Sequence, residues 1–382
     1  MSHTLNTKRM HPKSAPIPLS LLLTFGLISA TPQVVRAQQP LEDLGVPSAT
    51  RSNTNNALTQ LLREGRRMVD AGNFAGALAA YRQAAALDST NAKIYSGMGY
   101  VYATQGNYEE AVRAYQQAIA LDAKNADFYY AKGFSLAGLG RNDEAISTYR
   151  QALLYSPRHL NANLGIGVLL ARQGRYEEAL DIYRRVTTFA PENFKAHELM
   201  GTALIQLKRP RDAFTPLQQA ARISPRQGIV RVHIGTAWLQ LNDYTKATNS
   251  FSKALQLEPQ NPALPLQIGR ALQAAGYADE AMKYYQRAIA LRPNLPDAHE
   301  GIGDILFERQ NYTSAANLYR QYTNLSPNSA DGYVKLGMAL KAMGRKQEAI
   351  PALEKAKTLL RQQSAQSDQL REVDNLLKEL KR

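Results

Sequence analysis

The sequence predicts an all-α protein, a solenoid of nine stacked helix pairs. The first observation is a period of 34 residues without insertions, marked by Ala77, Ala111, Ala145, Ala179, Ala213, Ala247, Ala281, Ala315 and Ala349. The second is a glycine twelve residues before each alanine, at Gly65, Gly99, Gly133, Gly167, Gly201, Gly235, Gly269, Gly303 and Gly337. Glycine fills only 24 of 382 positions, so this coincidence indicates a repeat array.

Each unit divides into two predicted helices. A glycine supplies the turn between them in five units, at Gly106, Gly140, Gly174, Gly276 and Gly344. A proline near the next helix start ends the second helix in six units, at Pro157, Pro191, Pro225, Pro259, Pro293 and Pro327. Unit positions 8 and 20 are small because the two helices are expected to cross there. Neither helix can bury its apolar side alone, so neighbouring units must stack.

Two segments carry a family resemblance, "GNYEEAVRAYQQAIALD" (106–122) and "GRYEEALDIYRRV" (174–186). Over residues 58–361 the chain resembles the tetratricopeptide repeat (TPR) family. The resemblance implies a right-handed superhelical α-solenoid whose concave groove binds other proteins. Residues 362–382 have leucines at helical spacing and predict a capping helix. The fifth unit carries Pro216 inside its second helix, which predicts a kink there.

The amino-terminal residues 1–37 form a predicted secretory signal peptide. A basic start precedes the apolar stretch "APIPLSLLLTFGLISA", and Ala37 is a small residue at the expected cut. An uncleaved membrane anchor is the alternative. Removal of residues 1–37 takes away four basic residues and lowers the formal net charge from +14 to +10. Residues 38–57 are polar and predict a flexible lead-in.

Composition narrows the compartment and the function class. The chain has no cysteine, which excludes disulfides and thiolate metal sites and, with export, favours a periplasmic location. The histidines form no metalloprotease motif or triad, so we expect no enzyme. Basic residues are dispersed, which disfavours nucleic-acid binding. The net positive charge favours acidic partners or peripheral association with an anionic membrane surface.

Unit positions 2, 5, 9, 12 and 13 are expected to line the open side of the array. In units two to four these positions, with their neighbours, give predicted peptide-binding residues, namely Tyr100, Tyr130, Phe134, Lys93 and Asn161. Tyr130 and Phe134 are four residues apart on one helix and predict an aromatic shelf that anchors a peptide. The alternative is that these rings pack against adjacent groove residues.

The eighth unit presents a stripe of like charge that is joined by one acid of the ninth. The predicted metal ligands are Asp297, Glu300, Asp304, Glu308 and Asp331. Clustered carboxylates would attract a divalent cation such as manganese or calcium, or dock a basic peptide. The alternative is a salt-bridged face, because Arg270, Lys335 and Lys341 fall at or beside groove positions of the flanking units.

The export signal, nine repeats and chain length also resemble cyanobacterial periplasmic TPR proteins that assist photosystem II assembly. That resemblance implies binding of the carboxyl-terminal region of the reaction-centre core subunit precursor and delivery of Mn²⁺ to it. Two alternatives stay open. One is a general envelope scaffold for cell-wall or secretion machinery, and the other is a regulatory subunit of an envelope enzyme, both without metal.

Overall fold

The computed structural model describes residues 48–362 and 367–381. Within these ranges every regular element is an α-helix: α1 Ser48–Asp70, α2 Phe74–Leu87, α3 Ala92–Thr104, α4 Tyr108–Leu121, α5 Ala126–Gly138, α6 Asn142–Tyr155, α7 Leu160–Arg172, α8 Tyr176–Phe189, α9 Phe194–Gln206, α10 Pro210–Ile223, α11 Gly228–Gln240, α12 Tyr244–Leu257, α13 Ala263–Ala274, α14 Ala278–Leu291, α15 Pro296–Glu308, α16 Tyr312–Leu325, α17 Ala330–Ala342, α18 Lys346–Gln362 and α19 Ser367–Leu380. The predicted signal peptide lies outside the described residues.

The helix boundaries follow the 34-residue period. The first helices α3, α5 and α7 begin at Ala92, Ala126 and Leu160, and the second helix of each pair begins sixteen residues later. Eighteen of the described helices therefore form nine pairs, and α19 follows them as a capping helix against α18. Val373 and Leu377 of α19 are buried in the core of that last pair. The predicted fold class is confirmed.

The first helix is longer than the sequence analysis predicted. Residues 48–57 were assigned to a flexible lead-in, but α1 begins at Ser48. This stretch contains neither glycine nor proline, so its polar residues extend the helix of the first unit instead of breaking it. Residues 38–47 of the predicted lead-in lie outside the described part of the chain.

The two helices of a pair cross where a glycine meets a ring. A Cβ added to Gly167 would lie 2.3 Å from Cε1 of Tyr183, and one added to Gly303 would lie 2.7 Å from Cε1 of Tyr319. In the seven units that have an aromatic residue at position 24, the glycine at position 8 thus makes room for that ring, and in the ninth unit Gly337 faces Leu353 instead. The position-20 alanines are fully buried beside this contact.

The turn between paired helices requires left-handed backbone at unit position 15. Glycine adopts a φ of about +72 to +86° there in six described units. The other three described units place Lys208 (φ 58°), Asn242 (φ 60°) and Gln310 (φ 61°) at the same point. The turn is therefore kept where the glycine is missing, although a side chain in this conformation is strained. In the fifth unit, α10 contains Pro216 and continues as one helix to Ile223.

A polar side chain at unit position 4 ties each of several first helices to the loop before it. It donates a hydrogen bond to the backbone carbonyl six residues earlier, as seen for Tyr95 to Ser89 (3.1 Å), Tyr129 to Ala123 (3.1 Å), Asn163 to Pro157 (3.3 Å), His197 to Pro191 (2.8 Å) and His299 to Pro293 (3.2 Å). His197 and His299 are thus structural hydrogen-bond donors.

The described residues fall into two compact units, residues 48–203 and residues 204–381. The first has a core that includes Tyr81, Ile94 and Val101. A core in the second includes Phe251 and Tyr285. No helix in the described part of the chain combines the length and apolarity that a bilayer crossing requires.

Candidate functional site

The aromatic surface, defined as Tyr100, Tyr130 and Phe134, lies on the first helices α3 and α5. Tyr100 is 37% exposed, whereas Tyr130 and Phe134 are half-buried. Positions 5 and 9 of these helices carry the three rings because the small residues at position 8 face the paired helix instead. Tyr100 is therefore open to a ligand, and the rings of Tyr130 and Phe134 are partly covered by neighbouring side chains.

Rings from the second helices and the following loop support this surface. Tyr130 stacks on Tyr149 of α6 with 5.8 Å between ring centroids, and it contacts the ring of His159 at 5.0 Å. Phe134 meets the edge of Tyr108 at 6.5 Å. The interpretation that these rings pack against neighbours agrees with the geometry of Tyr130 and Phe134, while Tyr100 stays exposed. Tyr149 and His159 are contributors that the sequence analysis missed.

The rim of the aromatic surface is polar. Lys93 and Asp127 are exposed, and Asn161 is half-buried on α7. Burial raises the pKa of Tyr130, and burial likewise raises the pKa of Tyr149 well above its ordinary value. Both phenols are therefore protonated at neutral pH and can act as hydrogen-bond donors. The arrangement offers apolar area with a few donors at its edge, as peptide-binding sites do.

The acidic surface, defined as Asp297, Glu300, Asp304, Glu308 and Asp331, surrounds one lysine. The ammonium of Lys335 lies 2.5 Å from Glu300 Oε1, 2.9 Å from Asp304 Oδ2 and 3.5 Å from Asp331 Oδ2. The Tyr319 hydroxyl donates a hydrogen bond to the other oxygen of Asp304 at 2.8 Å. Lys335 of the ninth unit thus holds Glu300 and Asp304 of the eighth unit and Asp331 of its own helix.

The remaining members of the stripe are separated from this cluster. Asp297 pairs with Arg270 at 3.1 Å, and Glu308 is exposed at the end of α15. Lys341 had also been predicted to neutralise the stripe, but it pairs with Glu379 of the capping helix α19 instead. The repeat pattern could not show this, because α19 lies outside the repeats.

The charges of the cluster shift each other's titration. Burial acts to lower the pKa of Lys335, but Asp304, Glu300 and Asp331 outweigh it and raise that pKa above the ordinary lysine value. Burial raises the pKa of Glu300. The positive charge of Lys335 lowers this pKa, but the negative charges of Asp304 and Asp331 raise it again, so the pKa stays above its ordinary value. The cluster is a charge network with one cation and an excess of anions.

A metal ion fits this network poorly. Its oxygen donors are the type that manganese or calcium prefers, but the ammonium of Lys335 lies among them. In residues 48–362 and 367–381 no group of three or more acidic or histidine side chains is arranged to hold a metal ion. The geometry agrees with the salt-bridged interpretation of the stripe for Arg270 and Lys335.

The groove positions of the intervening units are less open than expected. Position 5 is buried in Leu164, Glu198, Val232 and Leu266, and position 9 is buried in Thr202 and Thr236. The expectation that positions 5 and 9 are open all along the array is therefore wrong for these units. Position 6 is also buried in Leu199 and Gln267.

Family models match most of this repeat array. Models described as "Tetratricopeptide repeat" match residues 130–194, 238–305 and 330–360, and one described as "TPR repeat" matches residues 65–106, 99–140 and 303–344. Together they span more than half of the chain. No curated protein matches the sequence.

Solved structures similar to the chain include one described as a tetratricopeptide repeat protein. A tetratricopeptide repeat protein from Parabacteroides merdae has 16% identity and a TM-score of 0.56, covering 65% of this chain and 98% of its own. PilF from Pseudomonas aeruginosa has 24% identity and a TM-score of 0.44, with coverages of 57% and 98%. MamA from Desulfovibrio magneticus has 25% identity and a TM-score of 0.42, with coverages of 44% and 96%. On the family matches and the helix pairs, this chain belongs to the tetratricopeptide repeat family and is a protein-binding scaffold.

Proposed function

We propose that the chain binds a segment of a partner protein on its aromatic surface and performs no catalysis itself. The observation that carries this proposal is the exposure of Tyr100 beside Tyr130 and Phe134, which are braced by rings beneath them. Rigid aromatic side chains provide large contact area and lose little conformational entropy on binding. An apolar or aromatic side chain of the partner would cover Tyr100, and its backbone would meet the polar rim.

The test begins with capture of partners from solubilised host membranes on immobilised protein. The affinity of a captured partner is then compared between wild type, Tyr100→Ala and Phe134→Ala. We expect each variant to weaken binding, by up to about 30-fold for a ring that is a central anchor. Leu154→Ser is the matched control, because Leu154 is a 78% exposed apolar side chain on α6 away from the aromatic surface.

Unchanged affinity in both ring variants would remove the aromatic surface from the binding site. Circular dichroism and thermal melting of each variant check that the repeats remain folded. Loss of affinity in Leu154→Ser to the same degree would place the interface elsewhere on residues 48–203.

The narrower proposal concerns photosystem II. It names the carboxyl-terminal region of the reaction-centre core subunit precursor as partner and Mn²⁺ as cargo. The support for the partner is the predicted export signal, the repeat number and the chain length. The support for the cargo is the donor type of the acidic surface, whose carboxylates are oxygen ligands that Mn²⁺ prefers although Lys335 occupies two of them. A peptide of that carboxyl-terminal region tests the partner directly. Binding to wild type and loss in Tyr100→Ala would support it, and absence of binding would favour a general envelope scaffold or a regulatory subunit.

Manganese is tested separately by calorimetric titration. Saturable binding that is lost in Asp304→Ala combined with Glu308→Ala would support the metal-carrier proposal. Lys335→Met sharpens the experiment, because removal of the competing ammonium should tighten metal binding at the same carboxylates. No binding to either protein at millimolar metal would end this part of the proposal.

A further inference from the structure

The first helices of several units share an amino-terminal cap at unit position 34. A side-chain oxygen there accepts a hydrogen bond from a backbone N–H of the first turn, as seen for Asn91, Asn125, Asn193, Asn261 and Ser329. Between the third and fourth units the same position is His159. Its Nδ1 accepts the N–H of Ala162 at 3.1 Å and so caps α7. Of these six caps, only the histidine uses a ring nitrogen as the acceptor, and an imidazole nitrogen can take up a proton.

The second nitrogen of His159 is also engaged. Because Nδ1 accepts from Ala162, the neutral ring carries its hydrogen on Nε2, which donates to Asp127 Oδ1 at 3.1 Å. The imidazole is only 12% exposed, whereas Asp127 is 58% exposed. The face of the ring contacts Tyr130 of the aromatic surface. One side chain therefore connects a helix cap to a ring of the proposed binding site.

We propose that protonation of His159 releases the cap of α7 and shifts Tyr130, so that binding at the aromatic surface depends on pH. This inference rests on the proposed function. Protonation places a hydrogen on Nδ1, which then faces the N–H of Ala162 as donor against donor. The imidazolium retains its attraction to Asp127, so the ring has reason to turn toward that carboxylate and away from the cap. Tyr130 lies against the ring and must follow it.

Charged and polar groups lie near the ring on α5, α6 and α7. Asp127 and Tyr130 face it from α5, and Tyr149 of α6 lies behind Tyr130. On α7, Asn163 donates a hydrogen bond to the His159 carbonyl at 3.1 Å. The neighbouring Arg158 is exposed.

The first test uses hydrogen exchange of the full chain at pH 5.5 and 7.5. His159→Asn is the decisive variant, because asparagine caps the neighbouring units and does not titrate. We expect the Ala162 amide of wild type to exchange about fivefold faster than that of His159→Asn at pH 5.5, and equally at pH 7.5, as loss of an amino-terminal cap predicts. His197→Asn, which changes a histidine of the next unit, should retain the wild-type pH response. Equal exchange in wild type and His159→Asn at both values would overturn the proposal.

The second test measures a partner whose binding depends on Tyr100. Wild type should bind it more weakly at pH 5.5 than at 7.5, and His159→Asn should bind it equally at both. If exchange responds to pH but this binding does not, the regulatory claim is wrong although the cap titrates. If no partner depends on Tyr100, the proposed function fails, and the exchange experiment still decides whether the cap opens.

Discussion

The aromatic surface and the acidic surface occupy equivalent places on two stretches of the same repeat. Tyr130 and Phe134 stand at positions 5 and 9 of the third unit, and Glu300 and Asp304 stand at the same positions of the eighth. The scaffold beneath them is alike, with a glycine against a tyrosine in both units. The difference lies in the adjoining elements, which support the rings in one case and supply Lys335 in the other. Equivalent helices thus present two different surfaces. The aromatic surface is available to a ligand, whereas Lys335 neutralises much of the charge of the acidic surface.

The largest predicted loss of stability comes from substitutions at the helix crossing that both regions share. Gly167→Leu and Gly303→Leu should each destabilise the protein by about 3 kcal/mol, because the new side chain overlaps the ring of Tyr183 or Tyr319. Thermal or denaturant unfolding measures both. Unchanged melting in Gly167→Leu would mean that the helix crossing is misplaced.

The acidic surface should depend on its central cation. Lys335→Met leaves the carboxylates of Glu300 and Asp304 partly buried without their partner, and we expect a loss of about 2 kcal/mol at pH 7. The figure is below that of a fully buried pair because Lys335 is 24% exposed. The equivalent loss should not follow from Lys93→Met, since Lys93 is exposed on α3.

The pH dependence of that loss has a definite sign. Burial raises the pKa of Glu300, so this carboxyl takes up a proton more readily in the folded protein than in the unfolded chain. Its ionisation therefore costs folded-state stability as the pH rises through the raised value. The cost of Lys335→Met should shrink as the pH falls from 7 toward 4. Urea unfolding of both proteins across this range measures it, and a cost that grows toward acid would contradict the account.

Loss of the cap at the amino terminus of α11 should reduce stability by a smaller amount. Gln227 makes no side-chain cap on α11, and the carboxylate of Glu258 instead accepts the N–H of Gly228 at 2.5 Å. Asn261 donates to its second oxygen at 2.7 Å. Glu258→Ala should cost about 1 kcal/mol in urea unfolding, as other cap removals do. Glu308→Ala, which removes an exposed carboxylate at the end of α15, is a control that should cost less.

The smallest predicted effect is an increase in stability, from a substitution at Gln310. Gln310 adopts φ 61° at the turn position where six units have glycine. Gln310→Gly should raise the free energy of unfolding by about 0.5 kcal/mol, because glycine relieves the strain but gains entropy in the unfolded chain. Gly174→Ala, at the same turn position in residues 48–203, should have the opposite sign. A loss of stability in Gln310→Gly would show that the side chain is not strained there.

The fold was predictable because its period repeats the same physical requirement nine times. The glycine against a tyrosine, the small alanine and the turn leave a pattern that one sequence displays repeatedly. The hydrogen bonds from position 4 were missed because tyrosine, asparagine and histidine perform one task there. The caps at position 34 could have been found, since asparagine recurs at that position.

The residues of the two candidate surfaces were predictable from the sequence, but their ion pairs and ring contacts were not. Helical spacing located the acid stripe and named Arg270 and Lys335 as neighbours. It could not show that one ammonium contacts three carboxylates, because that depends on side-chain geometry across units. Nor could spacing show that Tyr130 rests on Tyr149 and His159.

The most direct test compares the two surfaces in one binding measurement. A captured partner is titrated by calorimetry against wild type, Tyr100→Ala and Glu308→Ala, which change one exposed side chain each. The account predicts that Tyr100→Ala loses most of the affinity and that Glu308→Ala binds as wild type does. Full affinity in Tyr100→Ala together with loss in Glu308→Ala would contradict it.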